Sequence, residues 1–358
     1  MTGWNSSSWC YNSGYKIQDI NSMKIDHELR EGAHNAIQTC MNVSSDDRVY
    51  IISDEETLLV GQALKEEAIA TGAEVALVKL EDFGARPIKE VPDGFIDQIL
   101  TFSPTVTFFA ASAKEGELPF RIQVSLNVAQ ENKNIRHGHM VSITPQLMRE
   151  GMRADYNQIH KLTMRVYEVV QNSKSITVTS KKGSDVTAQF SPEIKWIPCH
   201  GLYYKPGDWG NLPEGEVYTC PATVNGTIVA DVLGDYFSPK YGVLESPVTF
   251  DVEDGYVKSV QCDDKTIEKE LLEYLDSNEN GRRVGEFAIG TNIALTALTG
   301  NLLQDEKIPG IHIAFGDPLP EITGANWMAS THIDVIPTDC TIKVDGAVIM
   351  RDGKFTFE

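Results

Sequence analysis

The chain has no stretch approaching the roughly 18 apolar residues that cross a bilayer, and no basic-then-apolar leader opens it. A membrane span is therefore not expected. Positive charge is scarce: 31 Lys and Arg face 51 Asp and Glu, for a formal net charge of −20. Sequence-independent nucleic-acid binding needs clustered cations against phosphate, so that class is excluded. Six cysteines (Cys10, Cys40, Cys199, Cys220, Cys262, Cys340) include no C-x-x-C pair. In a chain of this length they read as reduced thiols in a cytoplasmic protein, not as a disulfide framework or zinc ribbon. No G-x-G-x-x-G follows the first apolar run, and no G-x-x-x-x-G-K-[ST] occurs, so no dinucleotide or ATP loop is read. There is also no G-x-S-x-G elbow to carry a nucleophilic serine.

What is present has the balance of a globular protein: 41% hydrophobic and 23% charged residues in a chain of 358, long enough for two cores. The first half reads as strand–helix units. Apolar runs at 48–53 (RVYIIS), 74–80 (EVALVKL) and 105–111 (TVTFFAA), with a fourth at 139–144 (HMVSIT), alternate with amphipathic stretches. That alternation implies a parallel sheet. A long helical pattern spans about 145–172. From Ser175 the pattern changes to short alternating runs separated by Gly, Pro and Asp, the signature of antiparallel strands, with one helix over 265–277. The expected fold is α/β: an N-terminal arm over 1–20, a Rossmann-like domain over 21–172, and an α+β metal-binding catalytic domain over 173–358.

The chemistry concentrates in the second part. Glu286 opens the run FAIG, His312 sits in GIHIAFG, and His332-x-Asp334 lies in THID. Ionisable groups in strand-like sequence are costly to bury unless something neutralises them, and a divalent metal does that well. A strand's period of two puts His332 and Asp334 on one face, about 7 Å apart along the backbone. Glu216 and Glu306 complete a set of six candidate ligands: Glu216, Glu286, Glu306, His312, His332 and Asp334. Four carboxylates carry about −4, which two divalent cations balance. Such a pair bridged by water is the arrangement of aminopeptidases and other metallohydrolases.

Landmarks in this half carry a resemblance. Leu212-Pro213-Glu214-Gly215-Glu216-Val217-Tyr218-Thr219, Arg282-Arg283-Val284-Gly285-Glu286-Phe287-Ala288, His312-Ile313-Ala314-Phe315-Gly316, Gly324-x-Asn326 to His332-Ile333-Asp334, and Val344-Asp345-Gly346 follow in order. Over about residues 200–350 the chain resembles the aminopeptidase T / aminopeptidase S family of metallo-aminopeptidases. The resemblance implies that Glu216, Glu286, His312, His332 and Asp334 are metal ligands. It places a further ligand at Glu306 with one residue of slack in the Asp305-Glu306 pair. It also implies two ions of zinc, cobalt or manganese, Glu286 or Glu306 in proton transfer, a small peptide or amide substrate, and a homodimer. One position departs from the pattern: the family's tyrosine, three residues past the glycine of H-I-A-x-G, is Leu319 here. The same framework is similar to that of the 2,5-dihydroxypyridine dioxygenases. Those use one Fe(II) held by two histidines and a carboxylate, and there His332 and Asp334 match while Glu286 replaces a histidine.

Overall fold

The structure, a computed structural model, describes residues 24–125, 127 and 134–357. The expected arm over residues 1–20 lies outside the described residues. Three sheets organise the chain. The first is parallel and has five strands, ordered Glu74–Lys79, Arg48–Ser53, Val106–Phe109, Arg136–His139 and Trp209–Asn211. Its second strand buries Val49 to Ser53 on both faces, which explains why the sequence there is a continuous apolar run and not an alternation. The helix Leu58–Ala70 returns the chain from that strand to its neighbour Glu74–Lys79, as the strand–helix reading expected.

Two expected elements are corrected. The fourth parallel strand is Arg136–His139, not 139–144: the ladder pairs His137 with Thr107 and His139 with Phe109, after which the chain turns into the helix Pro145–Arg149. The helical pattern over 145–172 is also broken. A 3-10 turn, Gly151–Arg153, separates Pro145–Arg149 from a second helix, Tyr156–Val170. Glu150 leaves the helical region with φ −112 and ψ −99, and the Asp155 carboxylate restarts the helix by accepting from the amides of Asn157 and Gln158. Gly151 sits at the break, where its amide donates to Gln304 Oε1 at 3.0 Å. The helix Tyr156–Val170 contributes Tyr156 and Ile159 to the core beside the parallel sheet and Val166 and Val170 to the core of the antiparallel half.

That half holds an eight-stranded antiparallel sheet and a six-stranded one. The hairpin Val248–Glu253 with Tyr256–Gln261 and the helix Lys265–Leu275 fall where alternation and periodicity placed them. The six-stranded sheet runs in the order Val232–Leu233, His332–Ile336, Gly310–Gly316, Val284–Gly290, Glu216–Thr219 and Ile197–Cys199. Its two faces differ. Phe287, Ile289, Ile311, Ile313, Phe315, Ile333, Val335 and Val217 alternate onto one face and join the main core cluster. Each such side chain contributes about 1.5–3 kcal/mol through burial. The other face carries the ionisable residues.

Candidate metal centre

On that other face the period of two brings Glu216, Glu286, His312, His332 and Asp334 together. The register lays Glu286 opposite Ala314 and Ala314 opposite Asp334, so one small residue separates two carboxylates across three strands. His312 pairs with Ala288, His332 with Gly316, and Glu216 with Gly290. Alanine and glycine therefore sit wherever a large side chain would fill the space between ionisable groups. Gly285 lets the strands cross closely, since a Cβ there would come 2.1 Å from the Gly316 carbonyl oxygen.

Distances show how tightly the groups converge. His312 Nε2 lies 3.3 Å from Glu286 Oε1, 3.5 Å from Glu216 Oε2 and 3.9 Å from Asp334 Oδ1. His332 Nε2 lies 3.6 Å from both Glu286 Oε2 and Asp334 Oδ1. The other ring nitrogen of His332, Nδ1, lies 2.9 Å from the Asp317 carbonyl oxygen and donates to it, which leaves the Nε2 lone pair facing the acids. Tyr274 steadies this strand end: its hydroxyl accepts from the His332 amide at 3.2 Å and donates to Asp235.

Glu306 reaches the same cluster from the turn after the helix Leu302–Asp305, and with His312 and Asp334 it forms one of the groups compact enough to hold an ion. Asp305 does not: its carboxylate accepts from the amides of Thr299 and Gly300 and shapes a loop. All six sequence-read residues are thus neighbours. His137 and His139, two residues apart on one strand, stay in the parallel sheet. His137 Nδ1 meets Thr107 Oγ1 at 2.8 Å, and His139 stacks on Phe109. Burial pushes their pKa values down to about 3 and about 4.

Three participants escaped the sequence reading. Lys307 is fully buried, with Nζ 2.7 Å from Glu216 Oε1, 2.8 Å from Glu306 Oε1 and 3.1 Å from Glu214 Oε1. Glu214, read before only as a motif position, is likewise buried. Adding one acid and one base leaves the formal charge of the cluster where the sequence count put it. Tyr218 lies two residues beyond Glu216 on the same face; burial, and then the charges of Cys199, Glu286, Glu216 and Glu214, push its pKa up and keep its phenol protonated. Of these, only Tyr218 had a signal in the sequence, its period-two spacing from Glu216.

The electrostatics are those of a site built around a cation. Burial alone would lower the two imidazoles, yet their carboxylate neighbours outweigh it and raise His312 to about 9 and His332 to about 10. Burial raises Glu216 to about 8 despite Lys307. Asp334 is held low: His332 and His312 outweigh its burial. Two buried atoms, Glu216 Oε2 and His312 Nδ1, have no hydrogen-bond partner. Nitrogen and oxygen donors in this density fit a divalent ion chemically.

Comparison with known proteins bears on the fold and the family. A family model described as NicX, 2,5-dihydroxypyridine 5,6-dioxygenase, matches residues 29–290, and one described as crocagin biosynthetic protein CgnE/B matches residues 243–345. No curated protein matches the sequence. Among solved structures, a 2,5-dihydroxypyridine dioxygenase from Pseudomonas putida KT2440 aligns with TM-score 0.65 and 16% identity, covering 92% of this chain and 97% of that one. Wild-type AmpT from Thermus thermophilus aligns with TM-score 0.66 and 16% identity, covering 93% and 100%. At such identity the two structures share the fold, a mixed α/β framework common to both enzymes. Matched over most of its length, the chain belongs to the NicX, 2,5-dihydroxypyridine 5,6-dioxygenase, family.

Proposed function

We propose that the protein is a metal-dependent hydrolase that cleaves amide bonds next to a free amino terminus in small peptide-like substrates. The observation that carries this reading is the Glu286 carboxylate set across both imidazoles, Oε1 3.3 Å from His312 Nε2 and Oε2 3.6 Å from His332 Nε2. An oxygenase site of two histidines and one carboxylate keeps positions open for oxygen, and Glu286 as a further ligand would take one of them.

Glu286, His312, His332 and Asp334 would hold the metal, of the zinc, cobalt or manganese class, with Glu216 and Glu306 at its margin. A divalent ion bound there supplies a hydroxide from water near neutral pH and polarises the substrate carbonyl. The protein's own groups do the rest. Glu306, whose pKa burial raises, accepts the proton of the attacking water and returns it to the leaving amine. Glu216 Oε2, buried without a hydrogen-bond partner, would receive the substrate's α-ammonium group. Tyr218 would donate a hydrogen bond from its phenol to the carbonyl oxygen. That is the part a tyrosine at position 319 would play; Leu319 is apolar, 36% exposed and held at φ 52 at the start of a short helix.

A second reading follows from the family match over residues 29–290. His312, His332 and Asp334 would then hold one Fe(II) for oxidative ring cleavage. Metal-loaded protein incubated under argon with a dipeptide and its N-acetylated form separates the two. Hydrolysis of the free dipeptide alone supports the hydrolase. In air, oxygen uptake matched to cleavage of 2,5-dihydroxypyridine by the Fe(II) protein, with both peptides left intact under argon, would overturn it.

A further inference from the structure

We propose that Lys307 is a resident cation that takes the place of a second metal ion, so that the centre binds a single divalent ion at Glu286, His312, His332 and Asp334. The inference rests on the metal-centre reading and settles the number of ions within it.

The argument begins with the ammonium's capacity. A lysine has three N–H donors, and Lys307 has three carboxylate partners: Glu216 Oε1 at 2.7 Å, Glu306 Oε1 at 2.8 Å and Glu214 Oε1 at 3.1 Å. Its side chain is 0% exposed. A buried ammonium persists only when its charge is paired, and this one is paired with three carboxylates, donating a hydrogen bond to Glu216. The backbone is built to deliver it. Gly290 permits the 307–308 segment to lie against the strand Val284–Gly290, since a Cβ there would be 2.0 Å from the Ile308 carbonyl oxygen. The Lys307 carbonyl accepts from the Asn292 amide at 3.0 Å. Lys307 is therefore fixed from both sides.

Among the described residues, four groups have ligand atoms within 4.8 Å of one another. In Cys199–Glu214–Glu216, both carboxylates are already paired with Lys307. Glu216–Glu286–His312 and Glu306–His312–Asp334 each share one carboxylate with the ammonium. Only Glu286–His332–Asp334 is free of it, and His312 Nε2 adjoins that group through Glu286 at 3.3 Å. A metal–oxygen bond of about 2.0–2.2 Å to Glu216 or Glu306 on the lysine side would force two positive charges together in a site shielded from water. The formal charge of the cluster admits two ions, but the carboxylates free of the ammonium, Glu286 and Asp334, fall in one group.

The test counts ions and does not need turnover. Metal-free full-length protein is titrated calorimetrically with Mn(II), and the loaded protein is examined by electron paramagnetic resonance. One ion per chain and an isolated six-line Mn(II) spectrum are expected. Two ions per chain, or an exchange-coupled spectrum, would overturn the proposal while leaving a metal-dependent hydrolase intact. No binding at all would remove the metal-centre reading and the proposal with it. Lys307→Met, which keeps the length and loses the charge, is expected to bind a second Mn(II); a folded variant that still binds one overturns the assignment. If that variant fails to fold, the spectrum of the unsubstituted protein decides.

Discussion

His332 shows how much one side chain depends on its neighbours. Its Nδ1 is committed to the Asp317 carbonyl, so its Nε2 can serve only the acids or a metal. Glu286 is the carboxylate that spans both imidazoles, and Glu286→Ala is expected to weaken Mn(II) or Zn(II) binding by at least about 10²-fold; calorimetric titration checks this, and an unchanged affinity would remove Glu286 from the ligands. Tyr218 makes a different kind of claim, since it acts on substrate and not on metal. Tyr218→Phe should lower kcat for dipeptide hydrolysis by about 10²–10³, the loss seen for a single oxyanion donor, with metal content unchanged. A variant with full kcat would leave the reaction without a phenol donor on this face.

At the scale of elements, the site depends on strand ends that approach more closely than side chains allow. Gly316 has φ +106, and a Cβ there would lie 2.0 Å from the Thr331 carbonyl oxygen, next to His332. Gly316→Ala should cost about 2–3 kcal/mol in urea denaturation and weaken metal binding as well, because any relief moves the His332 strand. In the parallel sheet a buried ion network ties strand ends together. Arg86 pairs with Asp54, just past the strand Arg48–Ser53, and with Glu117, and donates to the Ser112 carbonyl. Arg86→Met leaves two buried carboxylates short of their cation and should cost about 3–5 kcal/mol, measured the same way.

Across the whole molecule, stability and metal binding are coupled through protons. His312 and His332 titrate near 9 and 10 in the metal-free fold, against 6.5 for an ordinary imidazole, and Glu216 near 8 against 4.5. All three bind protons more tightly folded than unfolded. Their stabilisation is complete below the unfolded values and is lost as pH rises through the folded ones. Asp334, held low, acts only in acid, where its stabilisation disappears as pH falls below its unfolded value of 3.8. The metal-free protein should therefore melt at progressively lower temperature from pH 6 to pH 10. Added Mn(II) should reverse the trend by taking the protons' place. Thermal melts with and without chelator test this, and a metal-free melting temperature that rises over that range would contradict it.

Much of the site was legible from residue order because a strand's period is fixed. In Gly285-Glu286-Phe287-Ala288-Ile289-Gly290 and Gly310-Ile311-His312-Ile313-Ala314-Phe315-Gly316, large apolar residues alternate with small or ionisable ones, which assigns one face to the core and the other to chemistry before any partner strand is known. The first three strands of the parallel sheet, and the strands Val248–Glu253 and Tyr256–Gln261, were legible for the same kind of reason, local periodicity bounded by turn residues, whereas Arg136–His139 and Trp209–Asn211 were not. The break at Gly151 was not, because it answers to Gln304, far along the chain. Nor was Lys307. Asp305-Glu306-Lys307 has the composition of a solvated turn, and nothing local distinguishes its three charges. Tertiary packing sends Asp305 to a loop, Glu306 to the site and Lys307 into a cage of three carboxylates drawn from two segments. Sequence determined which face could carry charge, since side-chain direction along a strand is a local property. Only the tertiary structure decided how that charge is neutralised, since electrostatic pairing is a matter of distance in space.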